Sequence, residues 1–250
     1  MKINIITGGS RGLGRSMALH LAGRGQDSII TYHSRKAEAE QVVKDIEAKG
    51  RKAVALQLDV SDAASFDAFV TAVRSALSGT WQRDRFDHLV NNAGTGISAS
   101  IESASEAQFD EMMKIHVKAP FFLTQKLLPL MADGGKIINL SSGLARFSFP
   151  SRAPYAMMKG AIEVFTRYLA KELGPRGITA NTLAPGAIAT DFGGGAVRDN
   201  PQLAAQLAGQ TALGRVGQAD DIGALAAAML SDDFRWVNGQ RIEASGGFFL

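Results

Sequence analysis

Tyr155 and Lys159 stand four residues apart in the segment Tyr155-Ala156-Met157-Met158-Lys159, and on a helix that spacing puts both side chains on one face. A tyrosine near its ordinary pKa of about 10 is a poor acid–base group at neutral pH. A neighbouring ammonium favours the phenolate and lowers that pKa. Ser142 follows a strand-like run, where a hydroxyl can hydrogen-bond a carbonyl oxygen. Together these groups could protonate an oxygen while a hydride reaches the attached carbon. A Y-x-x-x-K pair alone is also an ordinary feature of a helix surface, so the reading needs support from elsewhere in the chain.

That support lies near the start. The apolar run Ile3 to Thr7 leads into Gly8-Gly9-Ser10-Arg11-Gly12-Leu13-Gly14, with glycines spaced G-x-x-x-G-x-G. Glycine permits positive φ and leaves no Cβ in the way of a pyrophosphate. A helix starting there would offer free N–H groups and positive dipole density to the anion. The candidate cofactor-binding residues of this turn are Gly8, Ser10, Arg11, Gly12, Leu13 and Gly14. A second strand-like run ends at Tyr32-His33-Ser34-Arg35-Lys36. Dinucleotide sites that take NAD commonly place an Asp or Glu there, on the ribose hydroxyls. This chain offers bases instead. A 2′-phosphate is attracted by Arg, which can fork onto it, so Tyr32, Ser34 and Arg35 point to NADP, with NAD the weaker reading. Arg11 is expected to form the other side of that clamp.

The elements that must position these residues are legible as an alternation. Strand-like runs at 3–7, 28–32, 53–58, 88–91, 136–140, 178–183 and 240–243 are separated by helical patterns at 13–23, 37–49, 62–77, 106–131, 155–173 and 220–230. Residues 187–215 read as irregular and carry the hinge-like run Gly193-Gly194-Gly195. Trp81 and the charged stretch to Arg85 read as a solvated loop. Such alternation argues for βαβ units, hence an α/β fold with a parallel sheet of about seven strands and helices on both faces. With no interior linker, one doubly wound Rossmann domain over 1–250 is expected. Ligands of such sheets sit at the carboxyl ends of the strands, so specificity is expected in the loops 95–105, 143–154 and 187–215. Phe147 and Phe149 suggest an apolar wall there. Arg146 and Arg152 could attract an anionic substrate or could be solvated surface charges.

Composition narrows the chemistry. The chain has 250 residues, 46% hydrophobic and 20% charged, which excludes disorder and fibrous folds. It has no cysteine, which excludes thiolate nucleophiles, iron–sulfur clusters and cysteine-ligated zinc. The four histidines lack metal-ligand spacing, so no metal is expected. The net charge of +3 is scattered rather than clustered, unlike a nucleic-acid face. No apolar run approaches a bilayer span of about 18 residues, and the first apolar stretch is too short for a signal-peptide core. A cytoplasmic protein is expected, free of membrane and nucleic acid.

In order, TGGSRGLG at 7–14, LDVSD at 58–62, NNAG at 91–94, IINLSSG at 137–143, YAMMK at 155–159 and NTLAPGAIAT at 181–190 resemble the short-chain dehydrogenase/reductase family over nearly the whole chain. The resemblance implies an oxidoreductase passing hydride between nicotinamide and a carbonyl or alcohol, most similar to 3-oxoacyl-carrier-protein-reductase-like members. It implies Tyr155 as acid/base and Ser142 as the group that orients the carbonyl. Lys159 is then the residue that lowers the tyrosine pKa and binds the nicotinamide ribose. Asp59 and Val60 match the residues that hold the adenine, and Asn91, Ala93 and Gly94 the motif beside the cofactor. Pro185, Gly186, Ile188 and Thr190 match the segment that closes over the nicotinamide. A homotetramer follows from the same resemblance, with helices 106–131 and 155–173 at one interface. One departure stands out. His116 occupies the position where the family places an asparagine that holds a relay water. An imidazole could sustain such a relay and, titrating near neutrality, alter its pH dependence. A 3-oxoacyl thioester or small ketone is the expected substrate, a sugar or polyol the alternative. A cofactor-binding regulatory protein without catalysis is the rival of another class.

Overall fold

A computed structural model describes residues 1–250. The chain runs β1 (Ile3–Ile6), α1 (Gly12–Gly23), β2 (Asp27–Tyr32), α2 (Lys36–Glu47), β3 (Ala53–Gln57), α3 (Phe66–Trp81) and β4 (Phe86–Asn91). It continues through α4 (Glu106–Met113), α5 (Ala119–Leu127), β5 (Met131–Leu140), α6 (Ala153–Glu172) and β6 (Thr179–Pro185). Two short helices, α7 (Ala196–Asp199) and α8 (Pro201–Gly209), precede α9 (Ala219–Met229) and β7 (Arg241–Ala244).

The seven strands form one sheet in the order β3-β2-β1-β4-β5-β6-β7, and every pairing is parallel. Both faces are covered, as a parallel sheet requires. Side chains alternate along each strand, so Ile5, Ile29, Leu89 and Ile137 enter one core with α3 and α5 residues such as Phe69, Val73 and Leu123. Ile6, Ile30, Val90 and Ile138 enter the other, with Met17, Leu21, Val42 and Ile222 from α1, α2 and α9. Strand order reverses between β1 and β4. That reversal opens a crevice at the carboxyl ends of these strands, where doubly wound folds bind ligands.

Three local expectations are corrected. The helix expected over 106–131 breaks into α4, a π-helical turn at Lys114–Lys118, and α5, and β5 already begins at Met131. Pro120 is the cause: it has no N–H to give the His116 carbonyl and its ring would press on that carbonyl. The wider turn, in which the Ala119 N–H donates to Lys114 O, relieves the clash. The irregular stretch at 187–215 contains α7 and α8, the latter begun by Pro201 behind an Asn200 cap whose Oδ1 accepts from Leu203 N at 3.0 Å. Trp81 is no loop residue. It ends α3, is buried, and its Nε1 donates to Asp27 Oδ2 at 2.7 Å. No helix is long and apolar enough to cross a membrane.

Candidate active site

The crevice is a cavity of about 1320 Å³, more than the 300–1,000 Å³ that one drug-sized ligand occupies. Over the end of β1, mid-crevice, lies the Gly8–Gly14 turn. Gly8 (φ +68°) and Gly12 (φ +54°) adopt the left-handed backbone that glycine permits. A Cβ on Gly8 would stand 3.0 Å from Ala93 Cα. α1 starts with neither a side-chain cap nor an acid in its first turn, so its N–H groups are left for an anion in the cavity. Ser10, Arg11 and Leu13 line the cavity with these glycines. Gly14 does not. A Cβ there would meet Gly8 O at 2.2 Å, so this glycine seats the helix on the turn instead of facing a ligand.

The end of β4 is stitched to the turn. Thr7 Oγ1 accepts from the N–H groups of Asn92 and Ala93, both at 2.9 Å, and Asn92 Nδ2 donates to Thr7 O and Gly8 O. Asn92, Ala93 and Gly94 line the cavity. Asn91, expected among the cofactor-binding residues, points to the opposite side. It is buried, and its Nδ2 donates to Thr124 Oγ1 at 3.0 Å and Asn139 Oδ1 at 2.8 Å. Strand alternation sends neighbours to opposite faces, so Asn91 holds the sheet while Asn92, which the motif reading passed over, faces the site.

At the far end Tyr32, Ser34, Arg35, Asp59 and Val60 line the cavity. Asp59 Oδ1 accepts from the N–H and hydroxyl of Ser61. Arg35 Nη1 is 2.6 Å from Glu38 Oε1 on the exposed side of α2. Arg11, expected to face Arg35 across the 2′-phosphate, has Nη1 3.2 Å from Asp191 Oδ2, where the chain after β6 folds back over the turn. On that returning segment Pro185, Gly186, Ile188 and Thr190 all line the cavity.

On the other side of the turn, beside β5 and β6, α6 brings Tyr155 and Lys159 to the cavity one turn apart, both buried. Ser142, at the end of β5, caps a short 3-10 turn, its Oγ accepting from Leu144 N at 3.2 Å. Lys159 Nζ donates to Leu140 O at 2.7 Å and lies 5.4 Å from the Tyr155 ring centre. Burial drives the lysine pKa down to about 7. Burial also pushes the Tyr155 phenol up, against the opposing hydrogen bond from Ser142 and the charge of Arg152. The enclosed site penalises phenolate and ammonium alike.

His116 sits in the π-helical turn, 2% exposed, with its ring edge-on to Tyr155 at 5.1 Å. Its Nε2 is 2.7 Å from Thr95 O. A carbonyl only accepts, so Nε2 carries the proton and Nδ1 is left as an acceptor. Burial and then Lys159 hold the imidazole pKa down to about 3, which overturns the expectation that it titrates near neutrality. Gly94 makes room for it, since a Cβ there would lie 2.7 Å from His116 Cε1.

Part of the remaining wall is apolar. Phe147, Phe149, Phe192 and Phe248 line the cavity, with Phe192 5.7 Å from the Tyr155 ring and Phe248 5.1 Å from Phe147. Phe248 lies outside the three loops expected to set specificity; the apolar C-terminal run Phe248-Phe249-Leu250 is the signal that marks it. Arg146 is not available to draw an anion, because its guanidinium is bidentate on Glu243. Arg152 Nη1 donates to Ile97 O at 3.3 Å.

Residues 8–249 match the family model described as Enoyl-(Acyl carrier protein) reductase. The chain is 37% identical to the 3-oxoacyl-[acyl-carrier-protein] reductase of Staphylococcus aureus, over 100% of this chain and 98% of that protein. Among solved structures it is similar to the angucycline C-6 ketoreductase LanV with bound NADP, with TM-score 0.94 and 34% identity over 99% of this chain and 95% of that one. It is equally well covered by a short-chain dehydrogenase/reductase from Serratia marcescens, with TM-score 0.91 and 33% identity over 100% of this chain and 98% of that one. Full-length identity at this level joins the doubly wound sheet and its Ser142–Tyr155–Lys159 crevice to one conclusion: the chain belongs to the short-chain dehydrogenase/reductase family of oxidoreductases.

Proposed function

We propose that residues 1–250 act as one domain that uses NADPH to reduce a ketone carried on an apolar, ring-containing molecule. The observation that carries this reading is the meeting of Ser142, Tyr155 and Lys159 on the wall of a cavity that Phe147, Phe149, Phe192 and Phe248 also line. Phenylalanine faces recognise planar rings by offset or edge-on packing, which favours a ring-bearing ketone over a polyol. The bound NADP and ketoreductase description of the LanV structure support the same reaction class. A 3-oxoacyl thioester is the second reading, favoured by the identity with the Staphylococcus aureus enzyme.

NADPH, when bound, supplies the hydride for the carbonyl carbon. The uncapped start of α1 with Gly8, Ser10, Gly12 and Leu13 would hold its pyrophosphate. Ser34, Arg35 and Arg11 would meet the 2′-phosphate, with Tyr32, Asp59 and Val60 around the adenosine. Ala93, Gly94, Pro185, Gly186, Ile188 and Thr190 would enclose the nicotinamide. Tyr155 donates its phenolic proton to the carbonyl oxygen, and Ser142 Oγ donates a hydrogen bond to the same oxygen, stabilising the charge that develops there. Tyr155 enters as the phenol, the form that gives up a proton. Lys159 would hold the ribose hydroxyls. His116 offers Nδ1 as an acceptor for a relay water and donates nothing from that atom. The intact proton donor argues against a regulatory protein without catalysis.

Phe121 and Phe122 of α5 and Val164 and Tyr168 of α6 are exposed apolar side chains, consistent with the homotetramer implied by the family. We place the reaction in the cytoplasm, where NADPH is regenerated. NADPH consumption by the purified protein against 1-tetralone, an acetoacetyl thioester and a hexose tests the reading. Reduction of 1-tetralone in preference to the others is expected; turnover of the hexose alone, or of no ketone, contradicts it.

A further inference from the structure

Behind the site, four charged side chains form a continuous line. Arg241 on the edge strand β7 places Nε 2.7 Å from Glu163 Oε1 of α6 and Nη1 2.7 Å from Glu243 Oε2. Glu243 is in turn gripped by Arg146, Nε at 2.9 Å and Nη2 at 2.8 Å. The two ends of this line reach different parts of the site. At one end Arg241 Nη2 crosses over β6 and donates to the backbone carbonyl of Ser142 at 3.2 Å, while Glu163 Oε1 accepts from the hydroxyl of Ser141 at 2.7 Å. At the other end Arg146 Nη2 donates to the backbone carbonyl of Phe248 at 2.8 Å.

That second contact bears on an oddity of the chain. Residues near a terminus are poorly ordered unless something ties them down, and Phe248 follows two glycines in the left-handed region, Gly246 and Gly247. Yet Phe248 is 2% exposed and forms a cavity wall against Phe147 and Phe149. The arginine that fixes its carbonyl is itself fixed by Glu243, which also accepts from Ser245 Oγ at 2.8 Å.

We propose that the line Glu163–Arg241–Glu243–Arg146 is a positioning device with two separable ends. The Arg241 end holds Ser142 against the reacting oxygen, and the Arg146 end holds Phe248 as the wall that selects the substrate. None of the four lines the cavity. Each acts through another residue, and the proposal rests on the reading of this site as a ketone reductase. Arg241 suits its place because one planar guanidinium serves three acceptors at once, which a lysine cannot do.

The test compares Arg146→Met, Arg241→Lys, Phe248→Ala and the double variant Arg146→Met/Phe248→Ala with the unaltered chain, using NADPH and 1-tetralone. Arg146→Met leaves Glu243 paired with Arg241, and Arg241→Lys keeps the charge balance, so both are expected to fold; thermal unfolding checks this. Arg146→Met and Phe248→Ala should each raise KM for 1-tetralone about tenfold with kcat within about twofold, and the double variant should match Phe248→Ala alone because both act through one wall. Arg241→Lys should lower kcat on the order of 10- to 100-fold, the effect of a small misplacement of a catalytic group, with KM within about twofold. The proposal is overturned if the two arginine variants shift KM and kcat alike, if the double variant is additive, or if only the unfolding temperature moves. Titration of the NADP+ complex with 1-tetralone separates this from the reaction itself. Turnover of no ketone by the unaltered chain sinks the functional reading and the Arg241 end with it. Weaker 1-tetralone binding in Arg146→Met still supports the Arg146 end, and unchanged binding overturns it.

Discussion

His116 shows how a single side chain can be legible in type and misread in state. The sequence marks it as the residue standing where a relay asparagine is expected, and its pairing with Thr95 O and approach to Tyr155 place it in the site. What the sequence does not carry is its burial, which holds the imidazole neutral with a pKa near 3. The free base therefore prevails throughout the range where an unperturbed histidine, near 6.5, would switch. His116→Asn should leave the shape of the pH–rate profile between about pH 6 and 8 unchanged, whatever it does to the rate. A profile that loses an inflection near neutrality in the variant would show that His116 titrates after all. The same limit applies to Tyr155 and Lys159: their spacing gives the pair, but only the packing around α6 shows that burial acts on both.

At the scale of elements, most of the alternation of strands and helices is readable because buried parallel strands and amphipathic helices have distinct periods. The errors fall where local chemistry interrupts a period. Pro120 ends the expected long helix and forces the π-helical turn that turns His116 toward Thr95. The signal was present as a proline within an apolar helical pattern. Pro120→Ala should let α4 and α5 join and withdraw His116 from Thr95, lowering kcat about tenfold while the unfolding temperature holds or rises. A variant with undiminished turnover would show that the proline-induced turn has no bearing on the site. The Asn200-Pro201 start of α8 was a similar missed signal. Asn91 and Gly14 match their motifs but serve the scaffold, a distinction that motif spacing alone does not contain.

Besides His116, the molecule holds a second buried histidine, away from the active site, that makes its stability pH-dependent. His88 lies in β4, 1% exposed, its Nδ1 accepting from Lys136 N at 3.1 Å and its Nε2 without a partner. Burial holds its pKa down to about 4. An unfolded chain binds a proton there near pH 6.5, so between about 6.5 and 4 the unfolded state holds more protons and stability falls as the pH drops. The loss is on the order of 3 kcal/mol once both states are protonated. His88→Gln, which has nothing to protonate, should flatten that acid limb in denaturant titrations; an unaltered limb would mean the buried ring is not its source. None of this was visible in the sequence, where His88 is one polar residue in an apolar strand. The fold as a whole was visible, because seven strand-like runs and a glycine turn after the first leave few topologies for one parallel sheet.

The central claim is that Tyr155 gives the proton while the rest of the crevice holds cofactor and ketone. Tyr155→Phe removes one oxygen from a buried ring and leaves the packing of α6 intact. Turnover of 1-tetralone with NADPH, measured beside NADPH binding in the same preparation, is the direct test. Loss of turnover by about 10³-fold or more, within the reach of acid–base catalysis combined with a lost hydrogen bond, with NADPH affinity unchanged, is the expected result. A Tyr155→Phe protein that still reduces the ketone at a comparable rate would contradict it.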